Sequence, residues 1–290
     1  MKNILEKEPL IICERLFVYP MEDEAMQFPL LQDVSLTIYK SDWIQLYGWN
    51  GSGKSTLLKI LSGSTQYRVE GNIQWLGDDQ TDQTAILIPI VQQQPGAGLI
   101  GASAWEDIVL LLEQYRVPEK TIIPLTNAII RRFAMTHFSH LPLEHLSGGQ
   151  LQLAAIAGAA AVSNHLLLMD EVTAMLDSEM VQLIMEQLRT IHNKQKTAVV
   201  WATQKEDEIM RTDRVLVVQQ GQVTDEGSAE QWFTRNKQSE EGSSRCEQLQ
   251  FAAPLYVQLF WQLQQKNSSL QLPFSWNELI AEVTQTNEHK

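Results

Sequence analysis

Basic residues, cysteines and long apolar runs are all scarce in this sequence of 290 residues. The 22 Lys and Arg are outnumbered by 35 Asp and Glu, giving a net charge of −13. This balance disfavours a general nucleic-acid-binding protein, which needs a basic surface to neutralise phosphates. No run of about 20 apolar residues occurs, so the sequence predicts no membrane-spanning helix. The two cysteines, Cys13 and Cys246, form neither a disulfide framework nor a metal-binding spacing.

The start of the chain also lacks the apolar block of a secretion signal, which predicts a cytosolic protein. Apolar residues make up 44% of the chain and charged residues 20%, which excludes wholesale disorder. For this length we expect one large domain with a small appendage. Cys13 lies in an apolar, strand-like stretch and is expected to be a reduced core residue.

The apolar pattern favours an α/β fold that is interrupted by helices. Strands are predicted at residues 10–18, 34–39, 43–47, 166–169 and 197–202, with a hairpin around 219–221. Ser103 and Glu106 have the spacing of a capping box, and a second helix is predicted at 121–135. Together these helices predict an inserted helical subdomain at about 95–162. A further helix is expected at 178–192.

The end of the chain is predicted to form a separate small domain. We expect a large domain at 1–228, a polar linker at 229–248 and a C-terminal domain at 249–290. Pro254 suits the first turn of a helix, and Ser275 has the spacing to cap another. The first of these helices is expected to present an apolar face formed by Leu255, Leu259 and Leu263.

The most informative motif is GWNGSGKST at residues 48–56, which follows a strand and begins a helix. Its glycines let successive backbone N–H groups point at phosphate oxygens, and the helix N-terminus adds a positive dipole end. Lys54 is expected to reach the β- and γ-phosphates, and Ser55 to bind Mg²⁺. The predicted nucleotide-binding residues are Gly48, Asn50, Gly51, Ser52, Gly53, Lys54, Ser55 and Thr56.

A second motif is the apolar strand that ends in Asp170 and Glu171. A carboxylate at the end of a buried strand, facing a phosphate-binding loop, can hold Mg²⁺ through water. Glu171 can then orient and polarise the attacking water. Taken alone, an Asp-Glu pair after a strand is equally well explained as an ordinary strand end.

A third motif, LSGGQ at residues 146–150, precedes an alanine-rich helix. Ser147 can cap that helix, and Gly148 and Gly149 permit the close approach of an anion. The chain therefore has two anion-binding helix starts. Two molecules that face each other head to tail could bring both to one phosphate.

In this order and spacing, the three motifs resemble the nucleotide-binding subunits of ABC transporters. The resemblance implies a P-loop NTPase core with an antiparallel β subdomain, and it assigns residues 173–177 to the D-loop. It implies roles for Ser147, Gly148, Gly149 and Gln150 in contacting ATP. Gln93 aligns with the Q-loop glutamine, a catalytic and Mg²⁺-binding position, although a shift of one residue would select Gln92 or Gln94. Tyr19 matches the aromatic residue that stacks on adenine, and it can also be explained as an edge-strand tyrosine.

A narrower resemblance links the chain to the ATPases of energy-coupling factor transporters, which include cobalt and vitamin importers. It depends on QQQP, on the helix start at 104–108, on TAMLD at 173–177 and on the tail, which in that family contributes to ATPase dimerisation. The sequence departs from the family where Gln204 replaces the usual switch histidine, because glutamine donates a hydrogen bond but carries no positive charge.

These resemblances predict a peripheral ATPase at the cytoplasmic face of a membrane, with ATP and Mg²⁺ as ligands. Its expected partners are a second ATPase, identical or paralogous, in a head-to-tail dimer and a transmembrane component, with no nucleic acid. Glu171, Gln204 and Gln93 are its predicted catalytic residues, and Ser55, Gln93 and Asp170 its metal ligands. Two alternatives stay open: a slow or non-hydrolysing ATP-binding subunit of a heterodimer, and a soluble ABC ATPase without a transport role.

Overall fold

The computed structural model describes residues 8–21, 28–76, 88–94, 96, 98–163, 165–235, 242–265 and 270–288. Its strands are β1 (Pro9–Pro20), β2 (Leu31–Tyr39), β3 (Trp43–Tyr47), β4 (Tyr67–Trp75), β5 (Ile90–Val91), β6 (Leu166–Asp170), β7 (Ala198–Ala202), β8 (Arg214–Gln219) and β9 (Gln222–Ser228). Its α-helices are α1 (Lys54–Leu61), α2 (Ala104–Gln114), α3 (Glu119–Arg132), α4 (Gly148–Val162), α5 (Ser178–Gln195), α6 (Ala229–Phe233), α7 (Arg245–Gln248), α8 (Leu255–Gln264) and α9 (Trp276–Glu288).

The larger of two sheets has the strand order β5-β6-β7-β3-β8-β9. Its first five strands are parallel, and β9 returns antiparallel to β8 through the hairpin that the sequence predicts. β3, β6 and β7 are buried along their whole length, which explains why they are apolar apart from Gln45 in β3 and Asp170 at the end of β6. The smaller, antiparallel sheet has the order β2-β1-β4.

Alternation along the central strands separates two hydrophobic layers. Leu166 and Leu168 of β6 join the core beneath α1 and the antiparallel sheet, whereas Leu167 and Met169 join the core with α2 to α5. Successive side chains of a strand point to opposite faces, so one apolar run contributes to both layers. This arrangement confirms the predicted α/β core with its antiparallel sheet and inserted helices. Cys13 is buried and unbonded in the first layer, as expected.

The inserted helices differ in detail from the prediction. α3 ends at Arg132 rather than near residue 135. Ser103 caps α2 by accepting the Glu106 N–H, but the Glu106 carboxylate accepts the N–H of Ala102 instead of completing the capping box. The box is therefore half formed, with its acidic residue reaching one residue further back than the pattern requires.

Residues expected to form a linker contain two short helices instead. Each begins with a full capping box, with Ser228 before α6 and Ser244 before α7. Trp232, Phe233 and Cys246 are buried in a third hydrophobic cluster that α8 and α9 complete. Most residues of this segment are polar, so its few apolar residues, all of which are buried, did not indicate helices in the sequence. The division into a large and a small domain stays a prediction.

The apolar face of α8 is only partly the predicted one, because Leu259 and Leu263 pack against this cluster whereas Leu255 does not. Leu255 is exposed, and the buried side chains are Tyr256, Val257, Phe260 and Trp261. The predicted leucines therefore mark the edge of the buried face, and the larger side chains one position further on form its centre. In this region the Glu247 carboxylate also pairs with Arg235 and accepts the Ser244 N–H.

Candidate nucleotide-binding site

The glycine-rich loop joins the carboxyl end of β3 to the start of α1. A Cβ atom on Gly48 would lie 2.4 Å from both the Ser52 Oγ and the Val218 carbonyl oxygen, so only glycine fits there. Gly53, the residue before α1, has a φ of +114°, and a Cβ atom there would lie 2.7 Å from the Leu31 Cδ2. These constraints explain Gly48 and Gly53, and they place the N-terminus of α1, with its positive dipole end, where an anion can approach it.

Lys54 is the cation at the centre of this loop. Its side chain is 5% exposed, and its Nζ donates hydrogen bonds to the Gly48 carbonyl at 2.7 Å and the Trp49 carbonyl at 3.4 Å. The same Nζ lies 3.3 Å from the Glu171 Oε1. Within the described part of the chain, the buried Ser52 Oγ has no hydrogen-bond partner. A buried ammonium and an unpartnered hydroxyl on one loop suit the oxygens of a nucleotide phosphate.

Asp170 and Ser55 meet beside this lysine. Burial raises the pKa of Asp170, while a hydrogen bond from the Ser55 side chain opposes that shift and the neighbouring Glu171 adds to it. A hydroxyl and a carboxylate supply the hard oxygen atoms that Mg²⁺ prefers. The residues present therefore fit a magnesium ion, with Ser55 and Asp170 as its holders.

Glu171 and Gln204 form the other side of the site. The Gln204 Nε2 donates to the Glu171 Oε1 and to the Asn50 Oδ1, both at 2.8 Å. Glu171 has a φ of +50°, a left-handed conformation that is costly for a residue with a side chain. Its N–H is bonded to the Ala202 carbonyl on β7, which helps to hold the turn. The predicted switch residue thus lies in direct contact with the predicted catalytic carboxylate.

The LSGGQ motif forms the start of α4, as its sequence predicts. Ser147 accepts the Gln150 N–H and the Gln150 side chain accepts the Ser147 N–H, so the capping box is complete. A Cβ atom on Gly149 would lie 3.4 Å from the Leu176 Cδ2, so this loop adjoins the segment after Glu171. Gly148 is the first residue of α4. The motif and the glycine-rich loop begin two different helices.

The two remaining predicted residues lie on flanking elements. Gln93 is exposed and follows β5, and the carbonyl of its neighbour Gln92 accepts a hydrogen bond from the Gln152 side chain. Tyr19 lies near the end of β1, and the Arg68 guanidinium packs over its ring, 4.3 Å from the ring centroid. One face of this ring is therefore in contact with the protein itself, and its stacking on adenine stays a prediction.

Two groups near the site escaped the sequence analysis. Trp49 is stacked on Phe251 with ring centroids 5.2 Å apart, so the C-terminal region contacts the glycine-rich loop. Glu208 is a buried carboxylate behind Gln204. No local signal marks either contact, because Phe251 is about two hundred positions away from its partner and Glu208 lies in the polar stretch QKEDE.

This fold and site define a P-loop nucleotide-binding protein. A family model described as ABC transporter matches residues 31–174. A curated relative, the energy-coupling factor transporter ATP-binding protein EcfA1 of Levilactobacillus brevis, is 33% identical over 73% of this chain and 77% of its own length. EcfA1 of Geobacillus kaustophilus is 30% identical over 95% of this chain and 97% of its own. The chain therefore belongs to the ABC transporter family, among the ATP-binding proteins of energy-coupling factor transporters.

Solved structures agree with this assignment. The structure of cbiO1 from Clostridium perfringens, part of the ABC transporter complex cbiONQ, is 25% identical, with a TM-score of 0.66 over 88% of this chain and 100% of its own. A dimeric post-hydrolysis state of the ATP-binding cassette MJ0796, bound to ADP and Pi, is 26% identical, with a TM-score of 0.64 over 76% of this chain and 98% of its own. Across the described ranges, no helix has the length and apolarity to cross a membrane.

Proposed function

We propose that this chain is the ATP-hydrolysing subunit of an energy-coupling factor transporter and that it drives the uptake of a vitamin or a metal ion. One observation carries the hydrolytic activity, while the relatives support the transport role: Glu171 lies 3.3 Å from the Lys54 Nζ and 2.8 Å from the Gln204 Nε2, at the mouth of the glycine-rich loop. A phosphate-binding cation, a carboxylate and a hydrogen-bond donor are the groups that phosphoryl transfer to water requires.

Each residue has a defined task in this proposal. The loop amides and Lys54 bind the terminal phosphates of ATP, and Ser55 and Asp170 hold Mg²⁺. When bound, the ion would supply positive charge that offsets the negative charge of the phosphates. Glu171 orients the attacking water and polarises it, and Gln204 donates a hydrogen bond toward the reacting phosphoryl group.

A second ATPase completes the site. We propose a head-to-tail dimer in which the capped α4 start of one subunit, with Ser147, Gly148 and Gly149, contacts the ATP held by the other. The geometry of this helix start supports the arrangement, because the capping box uses the N–H groups of Ser147 and Gln150 and not those of Gly148 and Gly149, at an N-terminus with a positive dipole end. ATP then favours the closed dimer, and loss of the γ-phosphate lets it open.

The helical subdomain is the proposed contact with the membrane component, through the block at residues 95–139. A cleft of about 370 Å³ separates this block from the main sheet, and it is lined by residues of β5, α2 and α4 together with Gln92 and Gln94. A partner segment in this cleft would contact the Q-loop directly, so hydrolysis and transport would be coupled there. The proposal places the chain at the cytoplasmic face of the membrane.

A second candidate function rests on Gln204. Its neutral amide cannot supply the positive charge of a histidine. In this second candidate, the chain forms the slower ATP site of a heterodimer, and its LSGGQ motif completes the faster site of the partner. A soluble ABC ATPase without a transport role has weaker support, because the relative that matches 95% of this chain is named a transporter ATP-binding protein.

The test is phosphate release by the chain co-purified with its membrane component and with any paralogous ATPase encoded beside it. We expect release with the complete complex and a fall of about 10²- to 10⁴-fold in a complex carrying Glu171→Gln, because that variant lacks the carboxylate that polarises water. Equal release by the unaltered and Glu171→Gln complexes would place hydrolysis at the partner's site and favour the second candidate. Absence of any co-purifying membrane protein would contradict the transport proposal.

A further inference from the structure

Glu208 is a buried carboxylate that the mechanism above does not use. It ends the short 3-10 turn Glu206–Glu208 after β7, and its side chain is only 4% exposed. Its Oε1 accepts a hydrogen bond from the Thr173 Oγ1 at 2.6 Å. Its Oε2 accepts two more at 2.8 Å, from the Trp201 Nε1 and the Thr203 Oγ1.

These donors belong to the two segments that carry the proposed catalytic groups. Thr173 lies two residues after Glu171, and Thr203 directly precedes Gln204. Lys205 adds a second link, because its Nζ donates to the Thr173 carbonyl at 2.8 Å and lies 3.8 Å from the Glu208 Oε1. The carboxylate therefore joins the segment after Glu171 to the segment around Gln204.

The same residue also reaches the strand that leads into the glycine-rich loop. Its backbone carbonyl accepts a hydrogen bond from the side chain of Gln45, on β3, at 3.0 Å. Thr173, Trp201 and Thr203 are buried, so their donors cannot turn to water if the carboxylate is removed. Loss of Glu208 would take the shared acceptor from three buried donors and would remove this link between the two segments, which could then shift relative to each other.

We propose that Glu208 is a positioning residue for ATP hydrolysis, which fixes Glu171 and Gln204 relative to each other from behind. The proposal rests on the proposed function, since it supposes that these two side chains act on bound ATP. A displacement of about 1 Å in such groups can cost about 100-fold in rate. The predicted defect is therefore in turnover and not in the binding of MgATP.

The experiment compares Glu208→Ala, Glu208→Gln, Thr173→Val and Thr203→Val in the purified transporter complex. We expect Glu208→Ala to lower kcat about 10- to 100-fold while KM for MgATP changes less than about twofold. Each threonine variant should show part of this loss. Glu208→Gln should recover most of the activity, because its amide oxygen can accept from Trp201 and Thr203 while its NH₂ donates to Thr173.

Asp42→Asn is the matched control, since Asp42 is also a buried, ion-paired carboxylate but lies before β3, at the end of that strand away from the loop. It should lower the melting temperature without changing kcat. Hydrogen exchange of the nucleotide-free chain adds a readout that needs no activity: Glu208→Ala should speed exchange in residues 171–177 and 203–208 together.

The outcomes separate the two proposals. If kcat is unaltered in Glu208→Ala, the positioning role is overturned and the proposed function stands. If the Glu208→Ala variant does not fold, an unaltered kcat in both threonine variants overturns the positioning role in the same way. A loss of kcat in Asp42→Asn as large as in Glu208→Ala also overturns it, because the effect would then follow stability alone. If the unaltered complex does not hydrolyse ATP, the proposed function fails, and the positioning role fails with it.

Discussion

Replacing Gln204 by histidine is expected to speed ATP hydrolysis at this chain's own site. Gln204 makes two hydrogen bonds of 2.8 Å from one neutral amide nitrogen, to Asn50 and to Glu171. A neutral hydrogen bond contributes about 0.5–1.5 kcal/mol and one from a charged donor about 1.5–3 kcal/mol. The difference of about 1–2 kcal/mol, if it is realised in the transition state, corresponds to about a 5- to 30-fold gain in kcat.

This gain should depend on pH. A histidine loses its proton near neutral pH, because its ordinary pKa is about 6.5. The rate advantage of Gln204→His should therefore be largest at low pH and shrink as the pH rises and the ring loses its proton. The unaltered protein, with an amide at this position, should lack that component of the pH profile.

The assay is steady-state phosphate release by the transporter complex between pH 6 and pH 9, with Gln204→Ala as the control that removes the donor. We expect the order His above Gln above Ala at the low end of this range. A Gln204→His rate equal to that of the unaltered complex at every pH would refute the reasoning, because it would show that charge at this position does not enter the rate-limiting step.

Three other predictions concern the supporting structure. Phe251→Ala, which removes the ring stacked on Trp49, should lower the free energy of unfolding by about 2–4 kcal/mol and shift the tryptophan fluorescence, as chemical denaturation followed by emission will show. Burial raises the pKa of Cys13 to about 12 and that of Cys246 to about 11, so neither thiol should react with a disulfide reagent at pH 8 until the chain is unfolded; rapid labelling of the native chain would contradict this. For Glu247, burial raises the pKa, but hydrogen bonds from its arginine and serine partners lower it to about 2, below its usual 4.5. The ionised Glu247 carboxylate therefore stabilises the folded chain above pH 4.5, and this stabilisation is lost as the pH falls toward 2. In urea titrations, Glu247→Gln should lower the free energy of unfolding by on the order of 2 kcal/mol at pH 7 and by almost nothing at pH 2.

The strands of the main sheet and the loop at residues 48–56 could be predicted from sequence because their signals are local. A run such as LLLM before Asp170 is apolar on both faces only when a strand is buried between two layers, and the structure places it there. The glycine-rich loop is likewise defined by residue types at fixed spacing, and Gly48 and Gly53 have the constraints that such a loop requires.

Other features depend on contacts between distant parts of the chain. The centre of the buried face of α8 is formed by residues that pack into the cluster of α6 and α9, whereas leucine spacing alone located only its edge, at Leu259 and Leu263. Glu208 gives no sequence signal, because its partners at 173, 201 and 203 come together only when β6 and β7 are paired. The contact between Gln204 and Asn50, across more than 150 residues, is of the same kind.

The most direct test is the affinity of the purified chain for MgATP, measured by calorimetry with the unaltered protein and with Lys54→Ala. The central claim is that the amides of residues 48–56 and the Lys54 ammonium hold the terminal phosphates. It predicts measurable binding of MgATP, much weaker binding after Lys54→Ala and a smaller effect of that change on binding of AMP, which has no β- or γ-phosphate. Equal MgATP affinities for the two proteins would contradict the claim.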